Sequence, residues 1–280
     1  MTASSSPVWS VVEGPAHELG EEPTWDSENG RLLWVDVPAG EVWTAPLDSG
    51  GIGTPRRLAA LPPPISAARP IGAGRVLVAS GLDILAVTDD GASRSIGRLP
   101  SDPAQWQVNG FVVLPDASVL AGLLSRDRSE AGALVRLDPT TGGSVAVVES
   151  VQAANGLCVD HDRCCVWHVD TFARTLSRYP LLAEATLVGP GQVVTRFDGL
   201  PGKPDGVCTD PNGAVWVAMW DGSLVVQIDV DGRTGTQLTT PVARPTCPLV
   251  LPGPARRLLV TTACSPARES PEGQLLLTHI

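Results

Sequence analysis

Four side chains able to hold a cation recur at one position of an internal repeat: Glu21, Asn109, Asn155 and Asp205. Each lies 11 to 13 residues before the centre of a short apolar run, at 32–35, 119–121, 166–169 and 215–218. Taken locally, Asn109-Gly110, Asn155-Gly156 and Asp205-Gly206 are turn dipeptides, and Glu21-Glu22-Pro23 is a solvated bend. The shared register changes that reading. Equivalent positions of radially repeated units point at a common axis, where carboxylates and amides are hard oxygen donors. Such a set suits Ca²⁺, Mg²⁺ or Mn²⁺ better than a zinc cage. Neighbours in an extended segment face opposite ways, so only one of Glu21 and Glu22 is expected at the axis, with Glu22 the one turned away. The matching positions in the other two repeats, near Ile65-Ser66 and Pro248-Leu249, carry no acid. The expected site is therefore lopsided, with one side ligating and another left for a substrate.

These residues need a frame of repeated strands. Taking Trp34, Leu77, Leu120, Trp167, Trp216 and Val260 as run centres, successive spacings are 43, 43, 47, 49 and 44 residues. The runs are short, rich in β-branched and aromatic residues, and bounded by Gly, Pro, Asp or Asn, which is a strand signal. Turn pairs such as Asn29-Gly30, Asp90-Gly91, Asn212-Gly213 and Asp231-Gly232 separate them. No sustained 3.6-residue apolar stripe is present. Six units, each long enough for four strands, predict an all-β fold: a six-bladed β-propeller forming a single domain over residues 1–280. The strand-like ends at 8–12 and 274–277 are expected to pair, so that the N-terminal strand closes the last blade.

Composition narrows the function classes. A net charge of −10, with Lys203 the only lysine, argues against nucleic acid, whose binding needs clustered cations. No apolar run approaches the ~20 residues that span a bilayer. Met1 to Pro7 lacks the basic and apolar regions of a signal peptide. A soluble, cytoplasmic protein is expected, as a monomer or small homo-oligomer without nucleic-acid or membrane partners. Cys158, Cys164, Cys165, Cys208, Cys247 and Cys264 show no C-x-x-C spacing and read as reduced residues. The chain has no G-x-S-x-G elbow and no P-loop, and Gly72-Ala73-Gly74 lacks the third glycine of a dinucleotide fingerprint. The four histidines form no H-x-x-x-H pair, and His168, between Trp167 and Val169, reads as a core residue.

Several segments resemble the regucalcin/gluconolactonase family. They are Gly20-Glu21-Glu22-Pro23-Thr24-Trp25 with Leu33-Trp34-Val35-Asp36, Asn155-Gly156-Leu157 with Val169-Asp170, and Pro204-Asp205-Gly206 with Gly213-Ala214-Val215-Trp216. The resemblance covers nearly the whole chain in the same order. It implies a six-bladed propeller with one divalent cation in its channel and, in many members, hydrolysis of sugar lactones. By that similarity Glu21, Asn155 and Asp205 are the metal ligands, and Asn109 lines the substrate site. The expected cofactor is one divalent cation, Ca²⁺ first, with Zn²⁺, Mg²⁺ or Mn²⁺ as alternatives. Asp205 is the candidate to orient a water or take its proton. Substrate-side expectations are Gln107, Trp106 and, as counterpart of an acidic pocket residue of regucalcin, Asp127. Sugar-active members resemble one another in carrying R-x-N-D-G, whereas this chain has Gln107-Val108-Asn109-Gly110. That departure predicts a preference leaning away from acidic, highly hydroxylated aldonolactones. The leading expectation is a metal-dependent lactonase acting on a small lactone. The alternatives are a phosphotriesterase-like or aryl esterase-like hydrolase on the same scaffold, and a non-catalytic cation-binding propeller.

Overall fold

A computed structural model describes residues 7–49, 51–182, 190–267 and 269–280. The segment 1–6, on which the expectation about a signal peptide falls, lies outside the described residues. Strands alone make up the regular structure of the described residues, in six antiparallel sheets. Among the described residues, no helix is long and apolar enough to cross a membrane.

The sheets are the six blades expected from the repeat. Their innermost strands are Gly20–Asp26, Ile65–Pro70, Trp106–Val113, Ala154–Asp160, Lys203–Thr209 and Pro245–Val250. Each pairs with a second strand that contains one of the apolar runs: Arg31–Asp36, Val76–Ser80, Val119–Ser125, Cys165–Asp170, Val215–Trp220 or Arg257–Thr262. These second strands carry apolar side chains on both faces because both faces are covered by neighbouring blades. Trp34, Trp167 and Trp216 at their centres are 0, 0 and 1% exposed. One apolar cluster fills each space between adjacent blades. Leu33, Val35, Ala68 and Val78 join the first to the second blade, and Leu32, Trp34, Leu251 and Leu259 close the ring between the sixth and the first. Each blade depends on both neighbours to bury its apolar faces, which makes a closed ring the stable arrangement.

The closure expected from the termini is present. Ser10–Val11 forms the outer strand of the sixth blade, with Ser10 opposite Leu277 and Val11 opposite Leu276. Trp9 Nε1 donates to the Thr239 carbonyl of the fifth blade at 2.7 Å, and Thr278 Oγ1 donates to the Val8 carbonyl at 2.8 Å. No disulfide joins the six cysteines, all of which lie among the described residues. His168 is a core residue, 2% exposed, and burial lowers its pKa to about 4, which keeps the ring neutral.

Candidate metal centre

All six innermost strands are interrupted at the same level by a β-bulge. The register shifts fall between Glu21 and Thr24, Ile65 and Ala68, Val108 and Gly110, Ala154 and Leu157, Pro204 and Val207, and Pro245 and Cys247. A bulge leaves residues out of the ladder and re-aims their side chains. Asn109, Asn155 and Asp205 sit inside these bulges, and Glu21 is the last paired residue before its own. The asparagine–glycine and aspartate–glycine pairs are thus mid-strand bulges, a correction to the local turn reading. Their glycines serve space. A Cβ on Gly156 would lie 2.6 Å from the Asp205 carbonyl oxygen, and one on Gly206 would lie 2.4 Å from Cys247 Cβ. The missing side chains let the bulges of neighbouring blades stack edge to edge around the axis.

The approach to two ligand segments is clamped from the second strand of the same blade. Asp36 accepts from the Glu18 and Leu19 amides at 3.1 and 3.2 Å, just ahead of Glu21. Asp170 accepts from the Gln152 and Ala153 amides at 2.8 and 3.0 Å, just ahead of Asn155. The valine–aspartate pairs at 35–36 and 169–170 therefore act as positioning residues.

Glu21, Asn109, Asn155 and Asp205 line one axial cavity of about 250 Å³, together with Leu19, Arg128, Ala153, Thr171, Phe172, Lys203 and Trp220. Asn109 Nδ2 donates to the Ala154 carbonyl at 2.9 Å, so the amide oxygen is the end left to act as a donor atom. Thr171 Oγ1 donates to the Pro204 carbonyl at 2.8 Å and fixes the segment ahead of Asp205. Asp205 is 4% exposed. Burial pushes its carboxyl up to about 8, with the Glu22 charge adding to the effect and a hydrogen bond from Asn155 and the Arg128 charge opposing it. The Glu21 carboxyl is raised well above the usual range by burial and by the charges of Asp205 and Glu22. Carboxylates crowded into a poorly solvated space repel one another, and a divalent cation relieves that repulsion. The donor set of two carboxylates and two amides fits a hard ion. The Cys247 thiol has a donor atom within 4.8 Å of those of Glu21 and Glu22, and burial raises its pKa well above the ordinary value.

Glu22 departs from the alternation expected of an extended strand. Its φ of 52° lies in the left-handed region, and both neighbouring acids turn inward. Glu22 is 5% exposed and forms an ion pair with the Arg69 guanidinium, which also donates to Thr24 Oγ1 and, at 3.0 Å, to the Phe111 carbonyl. This pair separates the ligand cavity from a second cavity of about 280 Å³ toward the other ends of the innermost strands, lined by residues that include Cys158, Cys208 and Cys247.

Trp106, Gln107 and Asp127, the substrate-side residues expected from sequence, are absent from the lining of this cavity. Gln107 accepts from Arg126 Nη1 at 3.0 Å and is outside the cavity lining. Trp106 packs against the core between the second and third blades. Asp127 is turned back into its own loop, accepting from Ser125 Oγ at 2.6 Å and from the Ser129 amide and hydroxyl at 3.0 and 2.7 Å. Those bonds hold its carboxyl down at about 2. They also leave the next residue, Arg128, at a φ of 62° and lining the cavity. Arg128, Thr171, Phe172 and Lys203 are cavity residues that sequence reasoning missed. A signal existed for Lys203, the only lysine, two residues before Asp205.

Comparison with known proteins agrees with this architecture. Residues 19–264 match the SMP-30/gluconolactonase/LRE-like region. A pentonolactonase of Haloferax volcanii is 30% identical over 255 residues, covering 88% of this chain and 81% of that one. A 6-deoxy-6-sulfogluconolactonase of Pseudomonas putida is 31% identical over 242 residues, covering 84% and 80%. The crystal structure of a calcium-binding regucalcin from Agrobacterium tumefaciens superposes with a TM-score of 0.86 at 26% identity, covering 98% of this chain and 94% of that one. The bulged innermost strands and the extent of these matches together place the chain in the SMP-30/gluconolactonase/LRE-like family.

Proposed function

We propose that the chain is a divalent-cation-dependent lactonase that adds water across the ring ester of a small sugar-derived or related lactone, giving the open hydroxy acid. The observation that carries this reading is the convergence of Glu21, Asn155 and Asp205, with Asn109 beside them, in one axial cavity. Its volume falls below the roughly 300–1,000 Å³ of pockets for drug-sized ligands, so a compact molecule suits it. The relatives named as pentonolactonase and sulfogluconolactonase support the same chemistry.

Glu21, Asn155 and Asp205 would hold the ion, with Ca²⁺ the first expectation for an oxygen donor set. When bound, a divalent cation supplies Lewis-acid polarisation of an ester carbonyl and stabilises the charge that develops on its oxygen. Asp205 orients the attacking water and receives its proton. Its pKa falls in the field of a cation, which makes orientation the larger part of that role. The Asn109 amide is placed to hold a substrate hydroxyl or ring oxygen. Phe172 and Trp220 supply apolar walls that limit water around the ester.

The test is a panel of five- and six-membered lactones followed with a pH indicator, first on chelator-treated protein and then with each divalent ion restored. The expected result is ring opening that disappears on chelation and returns with an ion. A protein that binds an ion and opens no lactone would contradict the proposal.

A further inference from the structure

Two positive side chains of the cavity have no part in the hydrolytic reading. Arg128 reaches it from the third blade and Lys203 from the fifth. Arg128 stands at a φ of 62° on a turn braced by the Asp127 carboxylate, a left-handed conformation unusual for a long side chain. Lys203 Nζ lies 5.5 Å from the Phe172 ring centroid, over an exposed aromatic face. Neighbouring cations are spoken for: Arg69 pairs with Glu22, Arg244 with Asp221, and Arg126 donates to Gln107. Among the described residues, no ion pair joins Arg128 or Lys203 to a carboxylate. A chain with a net charge of −10 thus places its only lysine, and an arginine that feels the Asp205 charge without touching it, at the mouth of one small cavity.

The charges are layered. The half-buried Glu21 and the buried Asp205 form the floor, and the neutralised Glu22–Arg69 pair lies beneath them. Arg128 and Lys203 stand at the exposed rim. A divalent ion would match the two floor carboxylates and leave the rim cations in surplus. Apolar walls around such a rim strengthen its pull on an anion, and a guanidinium can grip a carboxylate, sulfonate or phosphate with two parallel hydrogen bonds. Resting on the lactonase reading, we infer that the substrate is a lactone with a second, anionic group remote from its ring ester, held at the rim by Arg128 and Lys203. This reverses the preference expected from Gln107, which lies outside the cavity lining.

D-glucono-1,4-lactone and D-glucaro-1,4-lactone share a ring and differ at C6, a hydroxymethyl in one and a carboxylate in the other. The readout is the ratio of kcat/KM for the anionic over the neutral lactone. We expect it to exceed one in the wild type, and to fall roughly tenfold in Arg128→Gln and again in Arg128→Gln/Lys203→Gln. It should also shrink as salt rises from roughly 50 to roughly 500 mM. A ratio that none of these changes moves, or an equal loss on both lactones, overturns the inference. Should neither lactone be opened, the lactonase reading fails, and calorimetry with the open acids decides the rim separately. Glucarate binding at least tenfold more tightly than gluconate to the cation-loaded wild type, with the gap closing in the double variant, supports the anion subsite. Equal affinities overturn it.

Discussion

The Glu22–Arg69 pair gives a prediction that differs from the sequence expectation. With Glu22 turned away from the axis, Glu22→Gln would be silent. In the structure Glu22 is 5% exposed and the Arg69 side chain 13% exposed, and the guanidinium ties the first, second and third blades together. Removing one partner of a buried ion pair typically costs about 3–5 kcal/mol, because the other charge stays buried without compensation. Arg69→Leu should cost that full amount, since it leaves Glu22 beside Glu21 and Asp205 with no cation. Glu22→Gln should cost less, about 1–2 kcal/mol, because the amide still accepts from Arg69 and repulsion with Glu21 and Asp205 is relieved. The double variant Glu22→Gln/Arg69→Leu should be more stable than Arg69→Leu alone. Urea unfolding of the four proteins near neutral pH, in chelator, gives the cycle directly. If Glu22→Gln stays within about 0.5 kcal/mol of wild type and adding it to Arg69→Leu recovers nothing, the pair does not balance the channel charges.

Two further predictions concern pH. Asp205 and Glu21 have folded pKa values above their unfolded ones, so the cation-free protein holds extra protons and loses stability as pH rises from about 4 toward 8. Denaturation of chelated protein should show a loss of about 1.4 kcal/mol per pH unit from Asp205 in that window, with Glu21 adding in the same direction, and saturating cation should flatten the slope; a cation-free protein that gains stability over the same range would be inconsistent with the crowded floor. His168 has the opposite sign: its folded pKa near 4 lies below the usual 6.5, so the unfolded chain takes up a proton first and stability falls as pH drops from 6.5 toward 4. His168→Leu, which also removes a buried Nε2 without a hydrogen-bond partner, should gain on wild type by about 1.4 kcal/mol per unit through that interval, and parallel pH profiles for the two proteins would show that His168 does not titrate.

Much of the frame was legible because propeller strands repeat at a nearly constant interval. Apolar runs centred on Trp34, Trp167 and Trp216 mark strands covered on both faces, and that covering is what the structure shows. The shared register of Glu21, Asn109, Asn155 and Asp205 was legible for the same reason, since equivalent residues of the ring meet one cavity. Where the reading erred, backbone conformation broke a simple rule. Alternation along a strand placed Glu22 outward, and a positive φ brings it inward. An acid was expected on the loop after the third blade's second strand, but serine hydroxyls capture Asp127 and its neighbour Arg128 lines the cavity instead. Gln107 was weighed by its match to the arginine of the R-x-N-D-G pattern. The bulge between Val108 and Gly110 shifts the strand register, and Gln107 meets Arg126 instead.

The claim at the centre of this account is that Glu21, Asn155 and Asp205 hold one divalent ion. Elemental analysis after dialysis against Ca²⁺, paired with calorimetric titration, measures this without reference to any substrate. The wild type should retain one equivalent, and Asp205→Ala should retain none, because it removes one of two ligand carboxylates from a site with few donors. Saturating ion should raise the melting temperature of the wild type alone, since only a protein that binds the ion gains from mass action. An Asp205→Ala protein that still holds a stoichiometric ion would contradict the assignment of the site.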